Sequence, residues 1–566
     1  MQRKKNSKGG NTSNLKSHLR YKHPNLYSEY LKIDGNSTIT TSEEAQEYNI
    51  DDPVLSNLQS NLASDSQGSQ ASISKDMQPY NSVEKKGFKH LLSVLCPSFE
   101  PPSRKYYSDY KIPQSYEDVK NCIKEKLKGV SYLALTTDCW TSGNGHPFIG
   151  LTAHIINEEW EFKSFCLACT SLTIDHNSFN IKNSIKQILH DWDIDESKIA
   201  GITTDCGSNI LKAVELMSFN HVSCFGHVLN TGVTNAFSLQ PVKYCTENAV
   251  KVRSVFHYSS KMKRALLNEQ TNLDLPPLVP PSSSDTRWWS LLPCLNFLYT
   301  QNEALKKILI CTKHQQMLPT FNQLKLIERI LHIMDPLKQL GEALASETKV
   351  TISGLCVNLE TDSVQLFDNT EDIHFDKNIL LEESSTFFSQ INYDTEEDGD
   401  TDETLNIELS QALNHVELLI TDTIFEKLSK RYFEDFKTKQ LIQLASFLDP
   451  RYKAYCIALF LSKNVPSEST LNDQNIFEAE IEKYIQIPKA DLDSDSLAWW
   501  KIYKSEFPNL SLLSRKYLCI QGTSVPCERL FNYGGNVITD KRTSLSAEHA
   551  EQLIFLSKNS HMIVDS

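Results

Sequence analysis

No stretch of this 566-residue chain approaches the roughly 18 uninterrupted apolar residues that a membrane span needs. No membrane partner is therefore expected. The first residues are basic and polar with no apolar run behind them, so no secretory signal is expected either. The fourteen cysteines are scattered rather than framed at short regular intervals, and none precedes Cys96. In a chain this long that pattern reads as reduced intracellular thiols, not a disulfide framework. A positive total is also missing. The net charge of −14 argues against DNA binding by bulk electrostatics, although phosphate contacts need only local positive charge.

What is present is unevenly laid out. Residues 1–27 carry seven Lys and Arg and no Asp or Glu, which makes this arm the natural place for phosphate contacts. Residues 28–83 read as a disordered linker, because 36–83 are rich in Ser, Asn, Gln, Thr and Asp and offer little to bury. Residues 84–130 read as a helical lead-in. Apolar spacing in 87–95 predicts one helix, stopped by Pro97, Pro101 and Pro102, and 115–128 predict a second.

The period then changes. Ser131–Thr137, Phe148–Ile156 and Trp160–Leu172 are rich in β-branched and aromatic residues and read as three consecutive strands. A helix over about 179–190, a fourth strand over 198–205 and a helix from near Gly207 follow. The order β-β-β-α-β-α predicts the start of an RNase H-like fold over 131–224, with three antiparallel strands and a fourth laid parallel to the first. Residues 225–445 read as a large, mostly helical insertion. It is broken by an acidic loop over 358–403, where seven of residues 394–403 are Asp or Glu. Residues 446–566 read as the second part of the fold. They end in helices over 524–533 and 546–558, split by Gly534 and Gly535, with Ser546 capping the last. The fold class expected is α/β plus α-helical.

Three blocks carry candidate chemistry. In TTDCWTS (136–142), Asp138 is expected at a strand end; alone, a turn-capping residue is the plainer reading. In ITTDCGSN (202–209), Asp205 sits at a strand-to-helix junction, where a helix cap is the plainer reading. If strands one and four are neighbours, the two carboxylates converge. Such a pair repels unless a cation lies between, and Mg²⁺ or Mn²⁺ suits oxygen donors. In TSVPCERLFNYGG (523–535), Thr523 and Ser524 are candidate caps and Glu528 lies one turn into a helix, where a lone Glu ordinarily complements the dipole.

These blocks, in this order, resemble the hAT transposase superfamily. So do PSRKYY (102–107), CFGH (224–227), DTRWW (285–289), FLDPRYK (447–453) and 499–520, so that the likeness spans roughly 84–560. The resemblance implies a catalytic triad of Asp138, Asp205 and Glu528, holding two divalent metals that activate water and then a 3′-hydroxyl for attack on a phosphodiester. It implies a DNA transposase where the activity is retained, and a non-cutting nuclear DNA-binding regulator where it is not. It implies base stacking on Trp288 beside Arg287, although Trp288 reads equally as core. It also implies a C-terminal dimerisation surface, with Leu530, Phe531, Leu545, Leu553, Ile554 and Leu556 as candidates for a homodimer or higher oligomer; the same residues read equally as monomer core. The sequence departs from the family pattern at Cys206, Gly207 and Cys527.

Residues 9–24 resemble the second half of a BED zinc finger, with His18 and His23 as paired ligands and Lys16, Arg20 and Lys22 facing DNA. The upstream Cys pair that tetrahedral zinc requires is missing, so a truncated copy is expected and stable zinc binding is not. Cys224 and His227 supply two ligands and by themselves make no zinc site. Cys166 and Cys169 read as core.

Overall fold

The computed structural model describes residues 77–95, 97–141, 145, 147–172, 175–281, 289–356, 403–454, 471–538 and 545–562. The finger ligands His18 and His23, the basic residues Lys16, Arg20 and Lys22, the linker up to residue 76, the acidic loop up to residue 402, Arg287 and Trp288 lie outside them. The last residues read as disordered linker are instead structured: Tyr80–Glu84 is a 3₁₀ helix, and Met77 and Val83 are buried in the core because they are the apolar residues that stretch has to offer.

One five-stranded mixed sheet organises the rest, in a mixed α/β chain. Strands β1 (Leu133–Thr141), β2 (Pro147–Ile156) and β3 (Phe162–Ser171) form an antiparallel meander. Strand β4 (Ile199–Thr204) lies parallel to β1, and β5 (His221–Ser223) parallel to β4, giving the order β3-β2-β1-β4-β5. The fourth strand is thus beside the first, as the order of predicted elements required. The three-residue β5 has no signal in sequence, being too short to show a period.

Helices cover both faces of the sheet. On one face lie α1 (Lys86–Leu95), α2 (Ile112–Lys128), α3 (Ser178–Asp191) and α4 (Ser208–Met217). Their apolar stripes, such as Val119, Ile123 and Leu127 of α2, share a core with Leu135, Ile149, Leu151 and Ile202. On the other face the chain continues through α5 (Phe225–Phe237), α6 (Gln240–Tyr258), α7 (Ser260–Asn272), α8 (Leu292–Thr300), α9 (Asn302–Leu309) and α10 (Phe321–Leu344). Next come the 30-residue α11 (Glu403–Tyr432), α12 (Phe436–Leu448), α13 (Leu471–Gln486), α14 (Ser496–Tyr503) and α15 (Pro508–Leu518). A second core joins these helices to Ala134, Ala200 and Val222 of the sheet. Two C-terminal helices, α16 (Val525–Val537) and α17 (Ala547–Lys558), return to β1, β2 and β3.

Four further expectations need correction. β1 does not end before Asp138; its ladder with β2 runs on to Thr141, so Asp138 is an interior strand residue. β3 begins at Phe162 because Trp160 adopts a left-handed turn (φ 61°) and stacks on Trp500 at 6.0 Å. α16 is not split at Gly534 and Gly535 but continues to Val537. A Cβ on Gly534 would lie 3.1 Å from the Trp140 ring, so the missing side chain lets the helix close onto the sheet. Lastly, Asp205 does not cap α4: Gly207 occupies the N-cap position, and the Asp205 carboxylate accepts the Gly207 N–H at 3.3 Å. Cys166 and Cys169 are buried in the core, as expected.

Candidate metal centre

The register of β1 and β4 brings the first two carboxylates together. Thr137 pairs with Thr204, so the next residues, Asp138 and Asp205, are neighbours on adjacent strands about 4.8 Å apart. Alternation puts both on the face that α16 covers. Glu528 reaches the same place from the first turn of α16. Three segments far apart in sequence thus bring their carboxylates within electrostatic reach of one another.

Close packing makes the approach of α16 possible. Asp138 lies opposite Gly150 of β2. A Cβ on Gly150 would meet Cys527 Sγ at 2.5 Å. Gly150 and the small, fully buried Cys527 therefore let the helix settle directly over the ladder beside Asp138. Phe531 stacks on Trp140 at 5.7 Å and fixes the helix one turn further along. The departure at Cys527 is thus a packing contact rather than a change to the carboxylate set.

The electrostatics record the crowding. Asp138 is buried, and its carboxyl is held well above the usual range, first by burial and then by the charges of Asp205 and Glu528; the Cys139 N–H, 2.7 Å from Oδ1, opposes the shift. Glu528 is raised to about 7, chiefly by burial with a contribution from Asp205, while the Ser524 hydroxyl and Arg529 pull the other way. Ser524 stands at the N-cap of α16 but makes no side-chain cap; its hydroxyl donates instead to Glu528 Oε1 at 3.2 Å. Thr523 donates to the Leu344 carbonyl. Neither acts as the helix cap that sequence suggested.

A further contact had no sequence signal. His227, in the first turn of α5, places Nδ1 3.4 Å from Glu528 Oε1. Cys224, the N-cap residue of α5, lies beside both, and one donor atom from each of the three falls within 4.8 Å of the others. The Cys-x-x-His spacing was legible, but its third member lies 300 residues away. Burial, then the Glu528 charge, pushes the Cys224 thiol up to about 12, and burial lowers His227.

The six candidate dimerisation residues fall differently. Leu530, Leu553, Ile554 and Leu556 are fully buried inside this chain's own core, and Phe531 and Leu545 are half-buried against it. The structure gives these apolar side chains to the monomer, where α16 and α17 pack on the sheet.

Known proteins carry the same parts. Residues 480–560 match the hAT family C-terminal dimerisation region, and residues 136–228 match the ZBED1 RNase-like domain. By these two regions the chain is similar to hAT and BED transposase-like proteins. It is 22% identical to human "Zinc finger BED domain-containing protein 4" over 87% of this chain and 43% of that protein. It is 22% identical to the maize "Putative AC9 transposase" over 84% of this chain and 63% of that one. A shorter match, 25% identical, covers 44% of the chain and 26% of human "Zinc finger BED domain-containing protein 6". The chain thus spans less than two thirds of the length of each. The first matched domain contains Asp138, Asp205, Cys224 and His227, and the second contains Glu528.

Proposed function

We propose that this chain is an hAT-like transposase, or derives from one, and acts on DNA in the nucleus as a homodimer or higher oligomer. In this reading the sheet and its C-terminal helices form an RNase H-like domain, and the helices between α5 and α12 are an insertion into it. Asp138, Asp205 and Glu528 hold Mg²⁺ or Mn²⁺ for DNA strand cleavage and transfer. What supports the reading is the pairing of β1 with β4, which sets Asp138 beside Asp205, together with the charge that Asp205 and Glu528 exert on Asp138.

The donor set fits such a cation. Three oxygen ligands suit a hard divalent metal, and two of the carboxyls are raised first by burial and then by neighbouring carboxylates, Asp138 by Asp205 and Glu528, and Glu528 by Asp205. Bound there, the metal would make an attacking water or 3′-hydroxyl acidic and neutralise charge on the leaving oxygen. The chain's own groups set up the site. The Cys139 N–H fixes one oxygen of Asp138, the Gly207 N–H holds Asp205, and the Ser524 hydroxyl turns Glu528. Lys16, Arg20, Lys22, Arg287 and Trp288 are proposed to contact DNA. Leu530, Phe531, Leu545, Leu553, Ile554 and Leu556 support dimerisation by holding α16 and α17 in shape.

One observation favours a second reading, a DNA-binding regulator that no longer cuts. Over 28% of its length the chain is 22% identical to a fungal protein named "Putative transcriptional regulator tpeD". The test is cleavage of DNA bearing candidate terminal repeats in Mn²⁺. Wild-type protein should nick it, and Asp138→Ala, Asp205→Ala and Glu528→Ala should each abolish nicking. Nicking that survives in all three removes the triad. DNA binding by wild type without nicking selects the second reading.

A further inference from the structure

We infer that Cys224, His227 and Glu528 form a second metal site, for a borderline-soft transition cation such as Zn²⁺, sharing Glu528 with the carboxylate set. The donors are a thiol, an imidazole and a carboxylate, the combination zinc takes and magnesium does not. Bond lengths of about 2.0–2.3 Å put the ligand atoms of tetrahedral zinc roughly 3.5 Å apart. His227 Nδ1 and Glu528 Oε1 already stand at 3.4 Å. Cys224 supplies the third donor within 4.8 Å of both.

The local fold arranges this. Cys224 precedes α5 and His227 lies in its first turn, so three-residue spacing sets both side chains on one side of the helix start. The sulfur sits where two helices begin. It receives the backbone N–H groups of His227 and Ser524, donors that favour a thiolate and partly offset the burial that keeps the thiol protonated. Three protein ligands leave a fourth position for water. On binding, the thiol proton passes to solvent. A cation here engages Glu528 and draws it from Asp138 and Asp205, so Zn²⁺ should suppress Mn²⁺ binding at the carboxylates.

Cobalt reports the site directly, because a thiolate ligand gives Co²⁺ an intense near-ultraviolet charge-transfer band. Full-length protein titrated with Co²⁺ should develop that band with tetrahedral d–d absorption, and Zn²⁺ should bleach it. Cys224→Ser should lose the band while melting as wild type does. His227 is half-exposed, so His227→Gln leaves the core intact, and it should weaken cobalt binding at least tenfold, since changes beyond the ligands alone cost about 10–100-fold. Asp138→Asn should keep the band, which separates this site from the carboxylate reading. If wild type shows the band but binds no Mn²⁺, the triad falls and this site stands. No band in wild type, or an undiminished band in Cys224→Ser, overturns the inference.

Discussion

Gly150 shows how one missing side chain sets the geometry of the site. It faces Asp138 across the β1–β2 ladder and leaves room for Cys527 of α16. Gly150→Ala would set a Cβ 2.5 Å from Cys527 Sγ, with the Phe531 and Leu530 side chains at 3.3 and 3.4 Å. Overpacking of this kind costs about 1–3 kcal/mol. Urea denaturation should show that loss, and Cys527→Ala on the same background should recover much of it. Asp138 and Glu528 make the opposite point about stability. Their folded-state carboxyls bind protons more tightly than in the unfolded chain, so the folded state holds more protons. Stability from this source is present below the unfolded pKa of about 4 and lost as pH rises towards 7. At pH 8 without divalent cations, Asp138→Asn should therefore melt at a higher temperature than wild type, and the difference should shrink as pH falls. A less stable variant would mean that the charge is not crowded. At this scale the sequence was partly legible. Asp138 and Asp205 each close an apolar run, and pairing of strands one and four predicts that they meet. Glu528 was visible only through the family resemblance, because a first-turn Glu has an ordinary helix-dipole role. The His227–Glu528 contact was invisible, since nothing local links residues 300 positions apart.

Among the elements, α17 has a task that its amphipathic pattern does not announce. It covers the edge of β3, and just beyond its end Asn559 takes the part of a missing strand. The Asn559 side-chain oxygen accepts from Cys166 N–H and its amide donates to the Cys166 carbonyl, both at 3.0 Å and both buried. Edge strands left bare invite pairing with other chains, and buried unpaired backbone groups cost about 1–3 kcal/mol each. Asn559→Leu should lower stability by roughly 2–4 kcal/mol and speed amide exchange at Cys166. Unchanged exchange would show that the edge is held by other means. Strands β1 to β4 were readable from the sequence because each has a β-branched run bounded by turn residues, whereas the three-residue β5 was not. The continuation of α16 through Gly534 was not, because glycine reads as a stop until Trp140 is seen packed against it. The left-handed turn at Trp160 is hidden for a similar reason: a bulky aromatic rarely adopts it, and here burial against Trp500 holds it in place.

Across the whole molecule, one sheet separates two apolar cores and the carboxylates lie on the face where the C-terminal helices return. No helix among the described residues is long and apolar enough to cross a membrane. The chain is acidic overall at −14, so a polyanionic substrate has to be met by local basic groups and by cations at the carboxylates. Those cations compete with protons. With Glu528 raised to about 7 and Asp138 also held well above its usual range, Mn²⁺ affinity should climb as pH rises through 7, because binding displaces the proton. The most direct test of the central claim is a calorimetric Mn²⁺ titration at pH 8 of wild type beside Asp138→Asn, Asp205→Asn and Glu528→Gln. The account predicts binding by wild type and a loss of at least about tenfold in each variant. Wild type that binds no Mn²⁺, or three variants that bind it equally well, would contradict it.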